Sequence, residues 1–324
     1  MTQFGYTMMT EQAAPDQLVR DVRLAEEAGF DFSVISDHFQ PWLAEQGHCG
    51  YAWAILGAAA QATERIPLMT YVTCPILRYH PAIVAQKAAT VQILSGNRFR
   101  LGLGSGENLN EHVVGRRWPA VGVRHEMLSE AIDIISTLFD GEDSANIRGK
   151  HFDIEQARLW DLPEQRVPIG VAVSGPASCR LAGTKADLMI AVEPKPESFE
   201  AVTQFVTPEQ VADSLGCGPD VEEHVEKIKP FIEVGYTEVA LVQIGDDTQE
   251  QFMHWAEREL LPALRSLSPR ASRSLQPRAS RSAAPPANIR SCLRTPWRRS
   301  STLTSTRSTP RSSSAMTLGC TAGR

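Results

Sequence analysis

Short apolar runs alternate with longer stretches of helical spacing along most of this chain, and that alternation limits what it can fold into. The runs Phe4–Met8, Phe32–Ile35, Ile66–Val72, Phe99–Leu103, Ile169–Val173, Leu188–Val192 and Glu238–Ile244 read as strands. Helices are predicted over Pro15–Glu27 (closed by Gly29), Tyr51–Thr63, Pro81–Leu94, Arg124–Asp140, Pro176–Gly183, Asp220–Glu233 and Gln249–Arg265. Pro81 stands near N1, where the missing N–H would have had no partner. Apolar strands separated by helices imply a parallel α/β sheet with both faces covered. Repeated βα units with no reversal of pattern suit a closed (β/α)8 TIM barrel, though an open doubly wound sheet has the same periodicity.

One unit does not fit. Only about 45 residues separate Val192 from Glu238, and they include Pro194, Pro196 and Pro208. Val202–Val206 is the sole apolar candidate for a seventh strand there, and it reads equally well as helix. A parallel barrel short of one strand exposes unpaired edges. The expectation is a barrel degenerate in its seventh unit, strained or open, with reduced stability.

Charge divides the chain in two. Residues 268–324 hold 11 Arg and no Lys, Asp or Glu, so residues 1–267 carry 32 − 11 = 21 bases against 38 acids, or −17. The tail repeats Pro-Arg-Ala-Ser-Arg-Ser and has little aliphatic content, which cannot offset the entropy of ordering. It is expected to be disordered, with the folded domain confined to 1–267. Its arginines are scattered and only Trp297 could stack on a base, which argues against a nucleic-acid partner. Deleting 268–324 is expected to leave the melting temperature and cofactor binding unchanged, which thermal unfolding and a binding titration of the shortened chain would check. No apolar run approaches the ~20 residues of a membrane helix. The N-terminus shows no secretory signal, and six cysteines without CxxC spacing argue against a zinc site or a disulfide framework. Those features imply a cytoplasmic protein without a membrane partner.

Four segments at strand ends carry chemistry-bearing residues. Asp37-His38-Phe39-Gln40-Pro41-Trp42 follows the second strand, where alternate side chains point apart, so Asp37 can hold something while His38 moves a proton. Gly102-Leu103-Gly104-Ser105-Gly106-Glu107 follows the fourth strand; its glycines allow close backbone approach to a ligand, or simply make a tight turn. Tyr71-Val72-Thr73-Cys74-Pro75 closes the third. Ser174-Gly175-Pro176-Ala177-Ser178 opens a helix after the fifth and offers free amides to an anion, although an ordinary capped helix looks the same. His38 and Glu107, on separate strands, form a plausible acid–base pair.

Together these motifs closely resemble the coenzyme F-420-dependent glucose-6-phosphate dehydrogenase family, in the bacterial-luciferase-like superfamily of flavin and deazaflavin oxidoreductases. The resemblance runs over residues 3–195 and 207–265, with several dozen of the family's residues absent after Glu197. It implies a luciferase-like TIM barrel, often dimeric, that moves a hydride between an alcohol or sugar-like small-molecule substrate and coenzyme F-420. It further implies His38 and Glu107 as the acid–base residues, with Trp42 stabilising charge on the substrate. Asp37, Tyr71, Val72, Cys74, Ser105, Gly106, Asn110, Ser174, Gly175, Ala177 and Ser178 match cofactor-contacting positions, and Tyr71–Val72 matches a non-proline cis bond. No metal is implied. On the substrate side Lys195 alone matches the family's basic residues, and Ser214 replaces an Arg. One ammonium is a thin clamp for a phosphate dianion, so glucose 6-phosphate is not the expected substrate. Two other readings compete: a flavin mononucleotide (FMN) monooxygenase of the same superfamily, and an inactive remnant.

Overall fold

The computed structural model describes residues 2–141, 143–191, 216, 218–245 and 248–267. Nine strands occur among them: β1 (Gln3–Met8), β2 (Phe32–Ile35), β3 (Leu68–Thr70), β4 (Phe99–Leu103), β5 (Ala145–Arg148), β6 (Asp153–Ala157), β7 (Ile169–Ala172), β8 (Leu188–Ile190) and β9 (Glu238–Leu241). Helices α1 (Pro15–Glu27), α2 (Ala52–Ala62), α3 (Pro81–Leu94), α4 (Asn108–Glu111), α5 (Val121–Phe139), α6 (Pro176–Lys185), α7 (Val221–Glu233) and α8 (Gln249–Trp255) lie between and after them. The tail 268–324, Val202–Val206, Lys195 and Ser214 all fall outside the described residues.

Strand order decides between the two architectures. Seven strands pair in the order β8-β7-β4-β3-β2-β1-β9, every pair parallel. The last strand therefore joins the first, which a doubly wound sheet does not do. Curvature follows from side chains inside. Arg100 on β4 and Glu238 on β9 are separated by three strands, roughly 19 Å in a flat sheet, yet they form a direct ion pair. The sheet curls back to bring them together. Among the described residues β8 and β9 are its two ends, so the ring is open where a seventh barrel strand would lie.

The pleat sorts each strand into two layers. On β2, Phe32 and Val34 point inward and join Met69 and Ile190 in a small interior cluster. A Cβ on Gly5 would collide with the Phe32 ring, so only glycine leaves that space on β1. Outward residues such as Phe4, Tyr6, Ile35, Leu68, Phe99 and Leu101 meet the helices in the main core.

Three expectations are corrected. The pattern does reverse once, at the antiparallel β5–β6 hairpin, which lies outside the main sheet. Its few apolar residues (Ile147, Phe152, Ile154) gave no strong strand signal; the turn is instead held by Glu130 of α5, which accepts from the amides of Lys150, His151 and Phe152. The predicted last helix is not continuous: α8 passes through a π turn, Ala256–Leu260, into Leu261–Ser266. Pro262 lacks the donor an α-helix needs there and its ring crowds the preceding turn. The third strand, predicted to reach Val72, stops at Thr70; the Tyr71–Val72 peptide bond just beyond it is cis, as the resemblance implied.

Asp21, on the buried face of α1, is 5% exposed, and one of its carboxyl oxygens has no partner. Burial raises its pKa to about 6. A carboxyl raised on folding binds more protons folded than unfolded, so its contribution to stability falls as pH rises from about 4 through 6. At pH 7.5 the ionised group costs up to about 3 kcal/mol. Asp21→Asn is expected to raise the melting temperature at pH 7.5 and to flatten the gain that the native chain shows on acidification to pH 5, both read by thermal unfolding.

Candidate active site

At the C-terminal end of β2 the chain turns outward through Ser36, Asp37 and His38. Asp37 is 2% exposed and its carboxylate is surrounded by donors. Trp53 Nε1 donates at 3.0 Å and Thr73 Oγ1 at 2.7 Å to one oxygen; the Tyr79 hydroxyl donates at 3.0 Å and Arg78 at 3.3 Å to the other. Arg78 also donates to the Asp37 carbonyl. Its guanidinium continues to Glu111, fully buried on α4, which accepts from the Arg78 amide at 2.9 Å and faces Arg78 Nε at 3.4 Å. Asp37, Arg78 and Glu111 thus form a buried ionic row behind the strand end. Burial raises the Glu111 pKa, against the pull of Arg78.

His38 faces the other way. Its Nδ1 lies against Glu11, a carboxylate 1% exposed in the turn after β1. Ser36 Oγ donates to the second Glu11 oxygen at 2.8 Å and receives the Thr10 amide at 3.2 Å. Burial pushes the Glu11 carboxyl up, but the His38 and Ser36 contacts outweigh it and the net pKa is lowered. Trp42 packs edge-on against the His38 ring, centroids 5.1 Å apart at 77°. The segment between them is clamped by Asn110, buried on α4, whose side-chain oxygen accepts from the amides of Phe39 (2.8 Å) and Gln40 (3.2 Å).

Glu107 comes from the glycine loop after β4. It is exposed along one side, but the crowding behind it raises its pKa; His38 opposes that rise and Glu11 adds to it. The three ionisable groups therefore share one field. The loop can approach closely only because it lacks side chains: a Cβ on Gly104 would strike Val72, and one on Gly106, at φ +72°, would strike Cys74 Sγ. Cys74 lies beneath this loop, 4% exposed, its thiol pKa pushed up by burial. Tyr71 points into the barrel near Arg100 and Glu238, and burial lifts its phenol to about 12.

At the end of β7, Ser174, Gly175 and Ala177 stand at the start of α6, with open space beside Gly175. Ser178 turns its hydroxyl inward, accepting the amides of Ser174 (3.0 Å) and Gly175 (3.2 Å) and donating to the Gly175 carbonyl. Ser105 and Gly106 are half-buried on the same end of the sheet. Two cavities elsewhere, one beside Trp160 and one between Val221 and Leu267, take no part in this face. Sequence reasoning missed Glu11, Arg78 and Glu111. For Glu11 a signal existed, an acid one turn beyond the first strand's C-terminal end, where barrels gather polar groups.

A parallel βα sheet that curls into a barrel and gathers an imidazole and two carboxyl groups at its C-terminal edge defines a barrel-type enzyme site. The chain belongs to the luciferase-like monooxygenase family, whose family model matches residues 1–204. An F420-dependent glucose-6-phosphate dehydrogenase of Microbacterium testaceum is 32% identical, the match covering 81% of this chain and 97% of the relative. One from Beutenbergia cavernae is 33% identical over 84% of this chain and 100% of its own length. The first alignment spans 328 positions but only about 262 residues of this chain (81% of 324), so roughly 66 positions have no counterpart here. Among solved structures, an F420-dependent secondary alcohol dehydrogenase bound to an F420–acetone adduct is 25% identical with a TM-score of 0.73, over 81% of this chain and 99% of that one. The fold is shared at 18% identity and a TM-score of 0.67 by a coenzyme F420-dependent tetrahydromethanopterin reductase of Methanopyrus kandleri.

Proposed function

We propose that this protein is a deazaflavin-dependent oxidoreductase that moves a hydride between an alcohol or sugar-like substrate and coenzyme F-420, with His38 as base and Glu107 as acid. One observation carries the reading: an imidazole in contact with one carboxylate, Glu11, also acts electrostatically on a second, Glu107, and the two carboxyl pKa values are pushed in opposite directions, in a chain whose relatives bear F420-dependent names. Groups tuned apart in this way are how one site both removes and supplies protons near neutrality. Glu11, held ionised, accepts from Nδ1–H and leaves Nε2 as the acceptor facing a substrate hydroxyl. Glu107 keeps its proton to higher pH than an ordinary carboxyl and can return it. Trp42 holds the imidazole edge and walls the reacting centre.

The cradle fits a flat ring system. Gly104 and Gly106 let backbone pack onto Val72 and Cys74, leaving a smooth wall, and the open first turn of α6 suits a phosphate. Ser105, Gly106 and Val72 would hold the ring, and Ser174, Gly175 and Ala177 the phosphate-bearing side chain. Tyr71, Cys74, Asn110, Ser178 and Asp37 would shape these surfaces from behind. When bound, the coenzyme supplies the carbon that accepts or returns hydride; the residues above orient it and handle the protons. Lys195 is assigned to the substrate by resemblance only. The relatives' names point to glucose 6-phosphate, whereas the single matching base keeps the proposed substrate at the wider class of alcohols and sugars.

Two broader features accompany this reading. Ile83, Ile93 and Leu94 on α3 are 50%, 45% and 41% exposed, which supports a homodimer through that face. Cys49, Cys74 and Cys179 are free, which supports a reducing, cytoplasmic setting. No described helix is long and apolar enough to cross a membrane.

Fluorescence titration separates the readings. Saturable binding of F-420 with little affinity for FMN is expected, followed by turnover on a panel of secondary alcohols and sugars that includes glucose 6-phosphate. Preference for reduced FMN with oxygen consumption favours the monooxygenase. No saturable binding of either overturns the proposal in favour of a remnant.

A further inference from the structure

Lys87 lies on α3, behind the site, and among the described residues aromatic rings rather than a carboxylate meet its ammonium. Nζ stands 3.3 Å from the Tyr79 ring centroid, 4.5 Å from that of Trp53 and 5.6 Å from that of Tyr51, and donates to the Tyr51 hydroxyl at 3.3 Å. The two nearest rings are the ones that hold Asp37. Trp53 Nε1 donates to one carboxylate oxygen at 3.0 Å, and the Tyr79 hydroxyl donates to the other at 3.0 Å. Each ring therefore has its polar edge on an anion and its face on a cation. A donor that leans toward an anion becomes more electron-rich, and its face then attracts a cation more strongly. The two contacts reinforce each other.

We infer that Lys87 is a positioning residue: its ammonium fixes the faces of Trp53 and Tyr79, those rings fix Asp37, and Asp37 sets the backbone from which His38 is presented. The charged and titratable groups facing the ammonium are Asp37 from the end of β2, Arg78 and Tyr79 from the segment after β3, and Tyr51 from the start of α2. Asp37 favours the charged lysine and Arg78 opposes it, while burial lowers the pKa to about 8. The clamp can therefore be loosened within the range of ordinary buffers, and the change should be felt at His38.

The test is NMR on the full chain carrying 13Cε-lysine, 15N-tryptophan and 13C-histidine labels, with Lys87→Met, Trp53→Phe and His38→Ala used to assign the signals. The six lysines make the ring-shifted Lys87 signal easy to separate. Between pH 7 and 9 the Lys87, Trp53 indole and His38 signals are expected to move with one shared midpoint near 8. In Lys87→Arg the charge persists, so the Trp53 and His38 inflection near pH 8 should vanish. In Lys87→Met both signals should sit at pH 7 where the native chain places them at pH 9. A lysine that merely packs the helix would leave His38 unmoved. Independence of the His38 signal from Lys87 titration, or an unchanged inflection in Lys87→Arg, overturns the inference; if Lys87→Met does not fold, the arginine variant decides alone. The catalytic weight of this coupling rests on His38 being the base, but its detection does not. A failed coenzyme titration would sink the enzymatic reading and leave the coupling measurable.

Discussion

His38→Ala is expected to lower kcat by roughly 10²–10⁴-fold, the usual worth of a positioned acid–base group, while the Kd for F-420 changes little. His38 lies against Glu11 and Trp42, both on the protein side, so removing the ring leaves the glycine cradle and the α6 turn as they were. Glu11→Gln tests the same idea from behind. The neutral amide cannot hold Nδ1–H as firmly, so the imidazole loses its preferred tautomer and kcat falls while the ring remains. Glu107→Gln removes the proton whose retention burial prolongs, so the variant should differ most from the native profile on the acid side, where the native carboxyl still carries it, and least where the native carboxyl has ionised. Stopped-flow reduction of F-420 across pH, beside equilibrium fluorescence titration, separates these effects. A His38→Ala variant that keeps full turnover, or loses coenzyme binding in step with activity, would sink the assignment.

Asp37→Ala is expected to cost about 3–5 kcal/mol of stability, because it strips a buried ion network of one of the two carboxylates that pair with Arg78. Two hydrogen bonds reach each oxygen, and without them Arg78 remains buried with only Glu111. For a domain of this size that corresponds to a fall of roughly 10 °C in melting temperature. Asp37→Asn keeps the shape but not the charge and should fall in between. If Asp37 touched the coenzyme directly, substitution would weaken F-420 binding and spare stability. Urea unfolding of both variants, next to the same binding titration, tells the two apart; a stability loss under 1 kcal/mol would overturn the structural role.

Much of the frame was legible because local chemistry and tertiary structure agree. Phe32–Ile35 reads as a strand from its own residues: three apolar side chains in four, then Ser36, an acid and an imidazole, and Pro41 shortly after. His38 and Glu107 could be picked out as candidates because a barrel delivers polar groups at strand ends. The β5–β6 hairpin was not legible, since its turn is held by the side chain of Glu130 on the preceding helix rather than by turn residues of its own. Nor was the break at Ala256–Leu260, where the signal is a single Pro262 inside an otherwise helical pattern. Ser178 reads as a ligand-facing hydroxyl at a helix start, yet three local bonds turn it inward.

By itself, then, the order of residues determined the βα alternation, the acidic body and basic tail, and the placing of His38 and Glu107 just beyond strand ends. Those depend on periodicity and on neighbours along the chain. Tertiary structure alone decided that the sheet curls far enough for Arg100 to pair with Glu238, and that Glu11 meets the imidazole. It alone placed Lys87 over the rings that hold Asp37. Burial and ion pairing join residues distant in sequence, and their energies depend on which side chains the fold removes from water together.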